Sequence, residues 1–495
     1  MTFSRRGFLA GLAATPIVLG TGCALGRSDA PVPGPRPLPI PPLADSTVDA
    51  DGVRRFRLTM APGAAEILPG KHTPTWGVNG PHLGPTLRAR RGEAVAIEVR
   101  NDLPEPSTLH WHGMRVPARM DGGPHQTIAP GGTWAPSWTI DQPAASLWYH
   151  PHPHGGTEKH VYRGLSGFFL VDDDAADRLD LPKDYGVDDI PLVIQDRRFT
   201  ADGALDEAAP TDIGLLGDTV ITNGIAGAYL RARTSRIRLR LLNGFSGRLY
   251  HLGFADNRQF QVIGTDGGLL PKPLSLNRIQ LSPGERAEIV VPIRAGDTVM
   301  LRALPIENRG DIDVAEAREF GFDDSFDILE LRGTTSVADA AAVPDALIPG
   351  AAIPTAAAVA HRRFDLQWFQ INHARMDMNR IDFTVAAGST EVWTVRNADN
   401  WPHNFHVHDV QFRITDIDGA APPPVLAGWK DTVYTRPGST YTLVMRFSEH
   451  TDPTYPYMYH CHLLLHEDRG MMGQFLVLGP GQQPVPMPMS HGGHG

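Results

Sequence analysis

One pattern constrains this chain more than any other: a strand that ends in Asn, followed further on by a Pro-Gly turn and another strand, occurs three times. Arg91-Gly92-Glu93 precedes Val95 to Asn101, Arg236 precedes Ile237 to Asn243, and Ala387-Gly388-Ser389 precedes Val392 to Asn397. The turns are Ala129-Pro130-Gly131-Gly132-Thr133, Leu281-Ser282-Pro283-Gly284-Glu285-Arg286 and Thr435-Arg436-Pro437-Gly438-Ser439. Runs such as Ala94-Val95-Ala96-Ile97-Glu98-Val99 and Tyr441-Thr442-Leu443-Val444-Met445 alternate with a period of two, which predicts strands with one face buried. Ile237 to Leu242 and Ala287 to Val291 are expected to be half-buried in the same way. Repetition at this spacing means one module copied in tandem, so the sequence predicts an all-β chain of three consecutive β-sandwich domains. The 51 glycines and 44 prolines supply the turns such domains need. Alternation gives way to Asp, Ala and Pro near 172–191 and 333–360, which places the domains at 46–180, 181–340 and 341–480.

The first 45 residues are expected to lie outside the fold. Ser4-Arg5-Arg6-Gly7-Phe8-Leu9 matches a twin-arginine export signal, and the apolar stretch from Leu9 to Leu19 is too short to span a membrane. The expected location is therefore periplasmic, cell-envelope or extracellular. Cys23 follows Leu19-Gly20-Thr21-Gly22, which resembles a lipoprotein cleavage site except at Gly20, so lipid anchoring and simple export both stay open. Pro31 to Pro42 is expected as an extended spacer. A disulfide between Cys23 and Cys461 would join a targeting segment to a C-terminal strand, so each of these two cysteines needs its own explanation. A net charge of −10 excludes a broad electropositive face, and with it nucleic-acid binding.

Four histidine clusters stand out, all in the first and third repeats: His110-Trp111-His112, His150-Pro151-His152, His403-Asn404-Phe405-His406-Val407-His408, and His460-Cys461-His462 followed by His466. In a strand, residues i and i+2 project from one face, so each His-x-His pair can present two imidazoles to a shared metal cluster. Cys461 then points the other way, where its thiolate can bind a different metal while His460 and His462 bind others behind it. A thiolate with two imidazoles and a weak thioether suits a blue copper site. His403 and His466 supply the imidazoles, and Met471 is placed for the axial position.

These four clusters, in this order, resemble the copper signatures of the multicopper oxidases, the laccase and copper-efflux oxidase family, and the likeness covers nearly the whole mature chain. The bacterial three-domain branch is the most similar, with Trp148-Tyr149 before His150-Pro151-His152 and His466-Glu467-Asp468 before Gly470-Met471-Met472. The resemblance implies cupredoxin-like Greek-key sandwiches and four copper ions. By position it makes His110 and His406 the ligands of a type 2 copper. For the type 3 pair it implies His112, His150 and His462 on one ion, with His152, His408 and His460 on the other. His154 is expected beside the ligands rather than among them.

The implied activity is one-electron oxidation of a small reducing substrate coupled to reduction of O2 to water. Asp121, in Met120-Asp121-Gly122-Gly123, and Glu467 sit where the family places its proton relays. The interval from His361 to Ile381 has only Met376 and Met378, unlike the Met-rich insertion of copper-efflux oxidases, and Trp401 stands where that branch has methionine near the acidic Asp399. Phenols, aromatic amines or other organic donors are therefore favoured, with copper(I) or iron(II) as alternatives. Two competing readings are a cupredoxin scaffold without enzymatic activity, as in cell-division relatives lacking copper ligands, and a copper store. The store would use the tail over 481–495, which carries Met487, Met489, His491 and His494 and is expected to be flexible.

Overall fold

In the computed structural model, which describes residues 34–208, 210–310, 312–350 and 353–487, the strands fall into six sheets arranged as three face-to-face pairs. The twin-arginine segment, Cys23, Met489, His491 and His494 lie outside the described residues. In the first pair, Arg54–Ala65 and Ala94–Asn101 belong to one sheet, while Leu87–Arg90, Gly167–Asp172, Ala145–His150 and His110–His112 form the other. Val95, Ile97 and Val99 point inward from the first sheet to meet Leu87, Trp111, Leu147 and Phe169 from the second. Each such aliphatic side chain stabilises the fold by roughly 2 kcal/mol on burial. The middle pair packs Ile237, Leu239 and Leu241 against Leu252, Leu301 and Leu331. The last joins Phe364, Trp393 and Leu443 to Phe405, Tyr459 and Phe475. The fold is all-β in the cupredoxin manner.

The repeated Asn and the repeated Pro-Gly turn prove to be two halves of one device. Asn101, Asn243 and Asn397 are all buried. Each side-chain amide donates to two main-chain carbonyls: Glu105 and Ile128 for Asn101, Arg248 and Leu281 for Asn243, Trp401 and Thr435 for Asn397. The second carbonyl in each case leads directly into the Pro-Gly turn, whose glycine N–H returns to the Asn carbonyl at 2.6, 2.9 and 3.1 Å. Those glycines, Gly131, Gly284 and Gly438, have φ of +75°, +84° and +75°, a conformation that explains the residue type. A buried Asn thus fastens strand end to turn three times over, satisfying backbone groups that would otherwise be orphaned.

Two expectations fail. The stretch expected as an extended spacer is, from Gly34 onward, laid against the protein: Arg36–Pro37 pairs in parallel with Ala228–Tyr229, and Leu38 is buried in the middle core. Proline tolerates such an edge position because the strand needs only one of its rims paired. The second concerns Arg236–Asn243 and Arg286–Pro292, which are buried on both faces rather than half-buried. Their polar faces carry Arg238, Arg240 and Glu288, and these charges are paired across elements instead of solvated. Arg240 bonds Asp189 at 2.6 and 2.8 Å and Ser146 at 3.0 Å, while Glu288 accepts from Ser146 at 2.6 Å. Alternation was present, but a neighbouring sandwich takes the place of water.

Candidate metal centre

The strand His110–His112 runs at the edge of its sheet and pairs antiparallel with Ala145–His150, in the register His110 to His150 and His112 to Trp148. In the third sandwich, His403–Val407 lies between Tyr457–His460 and Thr432–Thr435, with His406 opposite His460. The period of two turns His403 to the same side as Phe405 and Val407, and Asn404 and His406 to the other. His403 therefore parts from His406 and His408 although only a few residues separate them. All ten histidines and Cys461 are buried, none more than 2% exposed.

Their ring nitrogens converge. Nε2 of His460 lies 3.2 Å from Nε2 of His152 and 3.3 Å from Nε2 of His408. Nε2 of His150 lies 3.3 Å from Nδ1 of His112 and 3.4 Å from Nε2 of His462. Nε2 of His110 and of His406 are buried without any hydrogen-bond partner. Nitrogens of His152, His408 and His460 thus come together, as do those of His112, His150 and His462, and those of His110, His406 and His408 lie within 4.8 Å of one another. The two histidines of His150-Pro151-His152 go to different groups, and the strand ends at His150. Burial first, and repulsion from neighbouring imidazoles, push His112, His152, His406 and His462 far below the ordinary histidine range. Neutral imidazoles with lone pairs facing one another, and two buried nitrogens left unpaired, fit a set of cations held among them.

Cys461 points away from this cluster, as alternation requires. Its Sγ lies 3.7 Å from Nδ1 of His403 and 3.5 Å from Nδ1 of His466, and those two nitrogens are 3.0 Å apart. Met471 is fully buried in the same core, and its carbonyl accepts from the Cys461 N–H at 3.0 Å. Burial pushes the Cys461 thiol up to about 12, so a thiolate there needs a cation beside it. Cys461 is the one free cysteine among the described residues.

The opposite ring nitrogens are held by oxygen acceptors, which fixes tautomer and aim. His110 and His406 donate from Nδ1 to the carbonyls of Asp121 and Asp431, both at 2.8 Å. His408 donates from Nδ1 to Oδ2 of Asp121 at 2.7 Å, and His466 from Nε2 to the carbonyl of Asp212 at 2.9 Å. Asp121 reaches this place because Gly122 turns with φ +77°; a Cβ there would sit 1.9 Å from the Leu109 carbonyl. Glu467, on the short helix Leu464–Asp468, lies 3.1 Å from Nδ1 of His152 and 3.3 Å from Nδ1 of His460, and accepts from the Thr157 hydroxyl at 2.6 Å. Burial would raise Asp121, but the imidazoles of His408 and His110 outweigh it and hold the carboxyl below its usual range. Glu467 goes the other way, raised by burial and by Asp468. His154, expected beside the ligands, is exposed instead.

Sequence reading missed several supports. Asp431 accepts from Nε2 of His112 at 3.1 Å and is gripped by the Arg286 guanidinium at 2.7 and 2.6 Å, all within the interior. Arg286 and Asp212 belong to the middle of the chain, which has no metal motif of its own. Asn404 joins Cys461 and His462 by accepting from the His462 N–H and the thiol. A single charged residue in an alternating run looks like any solvated one; only the Lys430-Asp431-Thr432 run of polar residues beside an apolar strand offered a signal.

A family model described as multicopper oxidase matches residues 59–176, and a second of the same description matches 351–480. The multicopper oxidase mco of Staphylococcus haemolyticus is 34% identical over 448 residues, covering 88% of this chain and 92% of that protein. The cell division protein FtsP of Salmonella typhimurium is 36% identical over 484 residues, covering 96% and 99%. Among solved structures, a laccase-like multicopper oxidase CueO from Ochrobactrum sp., described as active towards lignin model compounds, superposes with a TM-score of 0.81 at 35% identity, covering 89% and 100%.

Proposed function

This chain belongs to the multicopper oxidase family, and from that premise we propose that it is an active, exported oxidase that passes electrons from a small donor to O2. The carrying observation is that all ten clustered histidines and Cys461 are buried, with ring nitrogens of neighbouring imidazoles converging and Nε2 of His110 and of His406 left without a partner. His403, Cys461, His466 and Met471 would hold a type 1 copper; His110 and His406 a type 2 copper; His112, His150 and His462, and His152, His408 and His460, a type 3 pair. Copper in these sets supplies the redox chemistry, in which four one-electron oxidations of the donor match the reduction of one O2 with four protons to two waters.

The chain's own residues set the conditions for that exchange. Cys461 belongs to one group through its side chain and adjoins the other through His460 and His462, which gives a covalent route a few bonds long. Burial excludes bulk water from both groups. Asp121 at His408 and Glu467 at His152 are the carboxyls placed to hold or hand on protons, since a ligating imidazole cannot do so. Donors in this reading are phenols, aromatic amines or low-valent metal ions; the activity described for the Ochrobactrum relative supports the organic ones. Export follows the twin-arginine signal at Ser4 to Leu9.

The likeness to the cell division protein supports a second reading, a scaffold without turnover. Such a scaffold has no use for buried unpaired imidazoles, which cost stability without a cation. The test is to load the purified chain with copper and measure O2 uptake against hexacyanoferrate(II). The oxidase reading expects a blue protein consuming four donors per O2 without peroxide. Colourless protein without uptake would favour the scaffold, and bound copper without turnover a store.

A further inference from the structure

Beside the group formed by His403, Cys461 and His466 lies an exposed aromatic residue that core packing does not explain. Trp368 is the only exposed aromatic residue among the described ones, 58% accessible. It stands with Phe369 at the tip of a hairpin between Ala358–Gln367 and Gln370–Ile371, and its φ is +55°. That conformation suits Gly or Asn; for a bulky side chain it is strained. In that conformation the Trp368 N–H donates to Oδ2 of Asp399 at 2.5 Å. The same oxygen is 3.5 Å from Nε2 of His403. A protein that needed only a hairpin tip here has no reason to hold a large apolar ring out in water.

The ring is not isolated. Trp368 packs on Trp401 with centroids 5.4 Å apart, and Trp401 lies 6.2 Å from the His466 ring. Phe369 meets His466 edge-on at 5.1 Å. A continuous aromatic surface therefore leads from solvent to a proposed copper ligand. We infer that Trp368, backed by Trp401, is the docking platform for the donor, and that the donor is a planar, electron-rich aromatic molecule, a phenol or aromatic amine, that stacks on the exposed indole. This rests on the oxidase reading above and narrows its donor class.

The chemistry around the platform suits an aromatic better than a metal ion. The guanidiniums of Arg469 and Arg375 lie 4.7 and 5.9 Å from the Phe369 ring and disfavour a cation nearby. Asp399 has Oδ2 committed to Trp368 and His403, and Oδ1 accepts from the Asn400 N–H at 2.9 Å. A stacked phenol loses one electron through this contact and its hydroxyl proton to water, leaving a phenoxyl radical; four such losses match the four electrons taken by one O2. Neither indole is itself consumed.

The test uses the full chain in two states. In the copper-loaded enzyme, Trp368→Ala should raise KM for 2,6-dimethoxyphenol about fivefold to tenfold with little change in kcat, the scale of one lost aromatic stack. The ratio of kcat/KM for the phenol to that for hexacyanoferrate(II) should fall by a similar factor, Trp368→Phe should recover most of it, and the blue absorbance should be preserved. In the copper-free chain, where no turnover occurs, saturation-transfer NMR should detect the same phenol bound to the unsubstituted protein and lose it in Trp368→Ala. Equal phenol binding by both copper-free proteins, or a selective loss of copper(I) oxidation in the variant, would overturn the platform. Failure of the unsubstituted enzyme to oxidise either donor would instead strike the oxidase reading, which the copper-free binding result does not depend on.

Discussion

At the scale of single residues, two side chains separate the steps of the proposed reaction. Among the described residues Cys461 is the only thiol, and its Sγ lies within 3.7 Å of the Nδ1 atoms of His403 and His466. Cys461→Ser should abolish the blue absorbance and donor oxidation while leaving the copper content near three per chain, because the histidine groups behind it are untouched. Retained intense blue colour would remove Cys461 from its role. Asp121 touches His408 and His110 but nothing near the thiol. Asp121→Asn keeps size and removes the ionisable group, so anaerobic bleaching by donor should run at nearly the normal rate while reoxidation by O2 slows at least tenfold. Stopped-flow traces with slow bleaching and normal reoxidation would give Asp121 a structural or donor-side role instead.

At the scale of elements, the Asn corner is the unit from which the chain is built. Asn101→Ala removes an amide that serves the carbonyls of Glu105 and Ile128, and an acceptor for the Leu103 N–H at 3.0 Å. Leaving buried backbone groups without partners should cost about 2–4 kcal/mol. A denaturation midpoint of the copper-free protein unchanged from the unsubstituted chain would mean that the corner is dispensable. The corners also mark how far sequence carries. Their two halves were both visible as repeats, as were the eleven clustered residues of the candidate metal centre, eight of which fall in four His-x-His pairs with a period of two. That one amide joins the halves was not visible, because the bond spans 27 residues for Asn101 and 38 for Asn243. Nor was the contrast between neighbouring runs legible. Ala94–Asn101 keeps one face at least partly open, whereas Arg236–Asn243 is covered on both, and the difference lies in a neighbouring sandwich that no local pattern encodes. Trp368 was not legible for a related reason: a Trp in a left-handed turn contradicts local preference, and the carboxylate that its N–H meets lies 31 residues on.

At the scale of the whole molecule, the middle sandwich, to which none of the proposed ligands belongs, braces the candidate centre between the other two. Arg286 reaches from it to Asp431, and Asp431 in turn holds His112 and, through its carbonyl, His406. Arg286→Gln would leave a buried carboxylate without its cation, which typically costs about 3–5 kcal/mol. The expected outcome is a lower thermal midpoint together with loss of copper from the histidine groups before loss of the blue absorbance; a variant with full copper content and normal stability would show that the brace is redundant. In the proposed enzyme three sandwiches close around two separate sets of buried ligands. Anomalous scattering at the copper edge from crystals of the loaded protein tests this most directly. One peak enclosed by His403, Cys461 and His466, and three enclosed by His110, His112, His150, His152, His406, His408, His460 and His462, is the predicted result. An absence of peaks among these residues, or copper confined to surface histidines, would contradict it.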